Sequence, residues 1–550
     1  MRRIVGAAVA LLTMFVVAAP VAAHDIPIGQ EMAAVYNSPH LAAAFAADQP
    51  LANTAVPVID APCEDGFAAG YACSNVDLLA FMPLADVGGG SANDIWGWTD
   101  PVTGEEYALL GKTTGTAFIN ITDPLAPVYL GDLPTQTSSS SWRDLKIDGD
   151  HVFIVSEASN HGMQVFDLTR LRGATGVTTW TVDAHYNQFG NAHNIAVNED
   201  TDFAYAVGTG TCSGGLHMID ISDPLNPTNA GCFSSDGYTH DVQCVVYNGP
   251  DASHVGSEIC IASNEDTVTV VDVTDKNAPV QLSRKRYRNS SYTHQGWLTE
   301  DHKYFLLDDE LDEANRGLGT TTYIWDMTNI DSPVMISASS STNPSIDHNQ
   351  YVLGDYSYQA NYRSGLRIQD ISNVANGTMT EAAFFDIYPG SDSAAFNGAW
   401  SSFPYFDSGV VIVSGIEQGL FVLRANLDSE PPPPPPDDVI AHVGDLDASA
   451  SITTGSRYKL DVTVAVHDAD DVAVAGVTVS GTFSNNQTGS CVTATDGTCE
   501  VSNERFSTRR NPEASFTVSS VSATGVSYDA AANHDPDGDS DGTTILVTAP

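Results

Sequence analysis

His193-Asn194-Ile195-Ala196-Val197, then Phe203-Ala204-Tyr205-Ala206-Val207-Gly208, then Gly215-Leu216-His217-Met218-Ile219-Asp220-Ile221-Ser222-Asp223-Pro224, running on through Pro227 to Cys232, decide the fold. They read as three short apolar strands and the start of a fourth, each closed by Gly, Asp or Pro. Asp folds back on its own backbone in a turn, and Pro has no N–H to give a ladder. A four-stranded meander of this kind cannot bury both faces alone, so it needs neighbours like itself.

The chain supplies them. The third strand and its turn recur as Ile119-Asn120-Ile121-Thr122-Asp123-Pro124, Val271-Asp272-Val273-Thr274-Asp275, Trp325-Asp326-Met327-Thr328-Asn329 and Asp370-Ile371-Ser372-Asn373, with Phe166-Asp167-Leu168-Thr169 as a looser copy. The first strand recurs behind polar pairs: Asn93-Asp94, Arg143-Asp144, His193-Asn194, His240-Asp241, His294-Gln295, His348-Asn349 and Asn397-Gly398. From Asp94 to Gly398 the steps are 50, 50, 47, 54, 54 and 49 residues. Seven sheet-forming units at a near-constant period predict an all-β chain built on a seven-bladed β-propeller. A sandwich of unrelated hairpins fits less well, because the order of elements repeats as well as the composition.

Outside the repeats, residues 1–23 pair Arg2 and Arg3 with an apolar run and a small-residue end, the pattern of a cleaved secretory signal. No other stretch is apolar enough to span a membrane, so no transmembrane segment is expected after cleavage. Residues 24–75 read as an Ala- and Pro-rich leader. Residues 76–427 carry the propeller, with the strand 77–84 supplying the outer strand of the seventh blade and closing the ring. Residues 428–437 contain six consecutive prolines, a stiff spacer of roughly 19 Å. Residues 438–550 show short alternating strands, as in an immunoglobulin-like β-sandwich.

Charge narrows the function. With 22 basic against 69 acidic residues and a formal charge of −47, nucleic acid is excluded as a partner and divalent cations are favoured. The one basic run, Arg284-Lys285-Arg286-Tyr287-Arg288, reads as an edge paired with acidic neighbours. Eight cysteines fall into near neighbours, Cys63 with Cys73, Cys212 with Cys232, Cys244 with Cys260 and Cys491 with Cys499, and predict four disulfides after export.

Pro62-Cys63, Gly70-Tyr71-Ala72-Cys73-Ser74-Asn75-Val76-Asp77-Leu78-Leu79, Ser141-Trp142-Arg143-Asp144-Leu145-Lys146 and the Ile-Asp-Ile-Ser-Asp-Pro repeats resemble the choice-of-anchor B family of bacterial surface proteins, whose repeats are similar to the LVIVD type. The resemblance covers roughly residues 60–425. It implies a secreted or surface propeller followed by a variable attachment device, and brings no catalytic residues with it. The C-terminal part resembles immunoglobulin-like modules appended to secreted bacterial proteases.

In a propeller the start of each first strand and the end of each second strand share one face. His193, His240, His294 and His348, beside Asp144 and Asp241, are therefore expected to meet Glu157, Asp308, Glu310 and Asp355 at a channel mouth, a setting for a divalent metal or polar ligand. Asp535, Asp537, Asp539 and Asp541 form the opening of a calcium-type loop that lacks the closing Glu, a candidate Ca²⁺ site. No nucleophile elbow, His-Glu-x-x-His or phosphate loop is present. The expected function is non-catalytic binding or adhesion to an extracellular protein or glycan, by a secreted or cell-surface protein. The alternative is a secreted metal-dependent hydrolase or lyase acting on an extracellular polymer.

Overall fold

The computed structural model describes residues 58–288, 290–427, 439–468, 471–523 and 526–550. The expected signal segment, most of the leader and the proline spacer lie outside them. The chain divides into two compact units, Met1–Asp428 and Ser429–Pro550.

The first unit is almost wholly β. Its described residues form seven small sheets, each with an antiparallel four-stranded meander at its heart or completed by strands from the N-terminal region. The first strands are Ala92–Thr99, Arg143–Asp148, Asn194–Asn198, Asp241–Val246, Thr293–Leu298, Asn349–Leu353 and Ala399–Phe403. Each touches the next in that order, and the last touches the first.

The recurring Asp turn has one physical cause throughout. Where the third strand ends, a side-chain oxygen accepts the N–H two residues on: Asn120 from Thr122 (3.0 Å), Asp167 from Thr169 (2.9 Å), Asp220 from Ser222 (3.0 Å), Asp272 from Thr274 (2.9 Å), Asp326 from Thr328 (2.8 Å) and Asp370 from Ser372 (2.8 Å). A register shift follows the same plan between third and fourth strands, at Phe118/Ile119, Met218/Ile219, Val270/Val271, Ile324/Trp325 and Ile368/Gln369. The bulge twists each outer strand in the same sense.

Val76–Pro83 pairs antiparallel with Gly419–Ala425, so that a strand before the first repeat joins the last sheet. The Phe81 and Phe421 rings lie 4.5 Å apart there. The leader expectation needs correction at its end. Val58–Ala61 adds to Val76–Pro83, and Tyr71–Ser74 adds to Thr380–Phe385. Val58–Ala61, Phe67–Ala68 and Tyr71–Ser74 therefore belong to the sheets; the lack of a long apolar period in this stretch hid strands of two to four residues.

All four expected cysteine pairs are disulfides. Two cations of the basic run are paired locally: Arg284 with Asp236 and Asp266, and Arg286 with Asp266.

The second unit contains two four-stranded sheets over one apolar core that includes Tyr458, Val462, Val464, Phe483, Phe506 and Phe516. Among the described residues, no helix is long and apolar enough to cross a membrane.

Candidate functional site

Four imidazoles, each from the start of a first strand, line up in one row with their rings tilted against each other. Ring centroids are 4.2 Å apart for His193 and His240, 4.2 Å for His240 and His294, and 4.5 Å for His294 and His348. Repetition of the sheet explains the row: equivalent positions in successive meanders sit side by side. All four rings are buried, with 1–5% exposure. The four rings therefore form a buried polar cluster.

Each ring is held by its Nδ1. His193 meets Glu157 Oε1 at 2.6 Å, and His294 meets Asp308 Oδ1 at 2.9 Å. His240 reaches the His294 carbonyl at 3.1 Å, and His348 the Trp400 carbonyl at 2.5 Å. A carbonyl partner requires Nδ1–H on the last two rings, which leaves Nε2 as an acceptor or ligand atom. His294 Nε2 and His348 Nε2 face one carboxyl group, at 4.0 Å from Glu310 Oε2 and 3.8 Å from Glu310 Oε1. Tyr362 donates its hydroxyl to Glu310 Oε1 at 2.7 Å. His294, Glu310 and His348 each offer one ligand atom, all within 4.8 Å of one another.

Burial sets the charge here. It pushes Glu310 up to about 7, against the Tyr362 hydrogen bond and the attraction of His193. It raises Asp308 well above the usual carboxylate range and brings His348 down to about 3. His240 and His294 are driven well below the ordinary imidazole value by burial and by their neighbouring rings. His193 is the exception. Burial opposes its charge, but the Glu157 hydrogen bond and charge outweigh it, and its pKa rises.

Other expected residues take different places. Asp144 is engaged by Lys146 (2.6 Å) and the Ile195 N–H (2.7 Å), and Lys146 also reaches Asp94 (3.1 Å). Asp241 accepts the Val242 N–H at 2.6 Å, and burial followed by repulsion from Asp144 raises it to about 7. Asp355 does not join the group. It is exposed in the turn before Tyr356–Ala360, at the opposite end of the strand pair from His348. The second strand of that sheet ends instead at Ala360, followed by buried Asn361, and the sequence reading mistook the turn acid for the strand end.

Two buried groups were missed. Tyr362 carries no motif and is placed by the chain after the second strand. Asp347, next to His348, has both oxygens buried without a hydrogen bond, and burial with repulsion from Glu313 and other acids holds it well above its ordinary value.

The C-terminal aspartates are partly consumed by their own turn. Asp535 accepts the N–H groups of Asp537 (3.2 Å) and Gly538 (2.9 Å), and Asp541 accepts that of Thr543 (2.9 Å). Asp535 and Asp537 nonetheless converge with Asp445, and Asp537 and Asp539 with Asp447, each trio within 4.8 Å. Asp541 joins neither trio. Asp445 and Asp447 lie on the strand Val439–Thr454, some ninety positions away, and no local motif announced them.

The LVIVD repeat family matches residues 189–234 and 350–382, two of the recurring sheets. No curated protein matches the chain. Among solved structures, a functionally unknown protein from Desulfotomaculum acetoxidans is 11% identical, with a TM-score of 0.39, covering 56% of this chain and 88% of that one. A protein from Lactobacillus plantarum is 12% identical, with a TM-score of 0.33, over 75% of this chain and 100% of that one. The periplasmic gluconolactonase of Pseudomonas aeruginosa is 11% identical, with a TM-score of 0.38, over 54% and 88%.

Proposed function

We propose that this chain is an exported, non-catalytic binding scaffold, a seven-bladed β-propeller of the choice-of-anchor B kind carrying an immunoglobulin-like module, with a divalent metal seated among the channel histidines. The metal reading rests on one observation: His294, His348 and Glu310 bring three ligand atoms within 4.8 Å in a buried setting. Asp308 and the Trp400 carbonyl orient the two rings from behind, the arrangement that metal-bound histidines favour. Imidazole nitrogens with a carboxylate suit zinc and its neighbours better than calcium. Seven sheets whose first strands meet in sequence support the seven-bladed ring. Four disulfides support export to an oxidising compartment.

The metal would be structural, tying sheets together around the axis, and the ligand of the scaffold would be an extracellular protein or glycan. Calcium at Asp535, Asp537 and Asp539, completed by Asp445 and Asp447, would brace the second unit; a thermal midpoint indifferent to both calcium and chelator would remove it. Metal analysis of protein purified without chelator tests the channel site. One equivalent of a zinc-class ion, lost in a His294→Ala/His348→Ala variant that still folds, is expected. The same metal content in both proteins would overturn the assignment.

A second reading has its own support. Two histidines and one glutamate leave an open coordination position, which is how catalytic zinc sites are built. A metal-dependent hydrolase or lyase would need a polymer to reach that position, and exposures of 2–4% at the three ligands weigh against it. Turnover of any polysaccharide or protein that vanishes with Glu310→Gln, in a protein that keeps its fold, would favour this reading over the scaffold.

A further inference from the structure

Three histidines widely spaced in sequence, His442, His467 and His534, meet in the second unit. Strand register brings the first two together. His442, on Val439–Thr454, is directly opposite His467, on Arg457–His467. The pairing shifts at Gly444, and the shift has a steric use: a Cβ on Gly444 would stand 2.1 Å from His467 Nδ1. Only a glycine lets that imidazole lie across the strand. His534 arrives from the loop before the last strand. Its N–H donates to the Val443 carbonyl (3.0 Å), and Asn533 accepts the Val443 N–H (2.9 Å). The loop is thereby pinned to the strand beside His442.

The rings converge with one carboxylate. Centroids are 4.9 Å apart for His442 and His534, 6.3 Å for His442 and His467, and 6.4 Å for His467 and His534. Asp471 Oδ1 lies 3.5 Å from His442 Nε2 and 3.8 Å from His534 Nε2. All four residues offer a ligand atom within 4.8 Å of the other three.

A second observation separates this group from a polar patch. His442 is 4% exposed, and its Nε2, aimed at the cluster, is buried without a hydrogen bond; His467 Nδ1 is buried and unbonded as well. Native structures seldom leave two buried ring nitrogens together without a hydrogen bond. His534 Nδ1 faces the Ala532 carbonyl at 3.3 Å, so that its Nε2 is the unprotonated nitrogen on the cluster side.

We propose that His442, His467, His534 and Asp471 form a binding site for a divalent transition metal of the zinc class. Three imidazole nitrogens, which are borderline donors, and one carboxylate oxygen are ligands zinc accepts, in the number a tetrahedral ion takes. Bonds of about 2.0–2.1 Å require donor atoms about 3.4 Å apart, close to the two separations from Asp471. Calcium and magnesium, which take oxygen donors, are not the ions for this group. Asp471 and His534 have side chains 71% and 42% exposed, which gives the ion an approach from solvent. The site is independent of the channel histidines and shares no residue with the aspartate trios.

The test uses the full-length protein with the channel ligands already replaced (His294→Ala/His348→Ala), so that zinc at that site cannot be counted here. After chelator treatment, zinc is titrated calorimetrically in millimolar calcium, which saturates the acidic surface. One equivalent is expected, with an X-ray absorption spectrum showing a shell of nitrogen and oxygen scatterers with imidazole signatures. Adding His442→Ala/His534→Ala should abolish that equivalent. His534→Ala alone, on an exposed loop where misfolding is not a concern, should weaken binding about tenfold or more. No zinc uptake by the parent, or unchanged affinity in both variants, would overturn the proposal.

Discussion

His294 and Asp308 form a pair in which the carboxyl holds the ring from behind: Nδ1 lies 2.9 Å from Oδ1, and the opposite nitrogen faces Glu310. Asp308 itself is fixed by the Gln295 N–H (3.0 Å) and the Gln350 amide (3.3 Å), so the orientation is imposed by two adjacent sheets. Asp308→Asn keeps the shape and replaces the carboxyl by an amide. Zinc affinity at the proposed His294–Glu310–His348 site should fall about tenfold to a hundredfold, while the circular dichroism spectrum stays unchanged. Calorimetric titration reads the effect, and equal affinity in both proteins would show that Asp308 does not orient the ring.

Lys146 lies between two buried acids, Asp144 at 2.6 Å and Asp94 at 3.1 Å, with its ammonium 4.6 Å from the centre of the Trp96 ring. Burial opposes its charge, but the two carboxylates raise its pKa well above the ordinary value. Lys146→Ala would leave Asp94 and Asp144 facing each other without a cation. The loss should be about 3–5 kcal/mol, the usual result of removing one member of a buried charge group. Lys146→Ala with Asp94→Asn and Asp144→Asn should recover part of it. Urea unfolding of the single and triple variants gives both numbers, and an unchanged midpoint for Lys146→Ala would show that the trio is not coupled.

Much of this architecture could be read from the chain before any coordinates. The repeated turn is local chemistry, an Asp or Asn oxygen on an N–H two residues away, so it survives as a visible motif in six of the seven sheets. The row of His193, His240, His294 and His348 was legible for the same reason, since equivalent positions in a repeat become neighbours in space. Asp355 went wrong because a strand's end and the turn before it look alike when both are polar and the strand is five residues long. Glu310 was legible only as one of three successive acids; its partner Tyr362 follows the second strand of the neighbouring sheet and has no local signature. His442, His467 and His534 were invisible because strand register and a pinned loop bring them together, and neither is a spacing that a sequence displays.

His217 gives the pH dependence a definite sign. Its Nδ1 meets Thr211 Oγ1 at 2.8 Å and its Nε2 the Tyr186 hydroxyl at 2.8 Å, and burial lowers its pKa to about 4. His161 is lowered to about 4 by burial and by Arg143, 3.1 Å away. With folded values below the unfolded value near 6.5, the unfolded chain takes up the proton first. Stability from each ring is complete above pH 6.5, declines as the pH falls toward 4, and levels off below. Each contributes up to about 3 kcal/mol to that acid-side loss. His217→Gln should flatten the decline between pH 6.5 and 4 in urea midpoints. An identical slope in the variant would show that His217 is not one of the groups responsible.

The last sheet of the first unit depends on a strand that precedes all the repeats. Phe81, on Val76–Pro83, is opposite Phe421, on Gly419–Ala425, in the ladder, and both rings are buried. Tyr71 packs against both, with centroids 6.4 Å from Phe81 and 5.5 Å from Phe421, and Phe385 of the neighbouring sheet stands 6.1 Å from Phe421. The aromatic group thus joins the N-terminal strands to the final sheet and to the one before it. Phe421→Ala opens a cavity where the two chain ends meet and should cost about 3–5 kcal/mol. The loss should come with faster proteolysis between residues 58 and 83, because the strand before the repeats is released first. A comparably buried ring inside one meander, Phe153, provides the control. Phe153→Ala should destabilise to a similar degree without exposing the N-terminal strands selectively. If both variants are cleaved at the same sites at the same rate, the paired strands Val76–Pro83 and Gly419–Ala425 are not the weak point of the first unit.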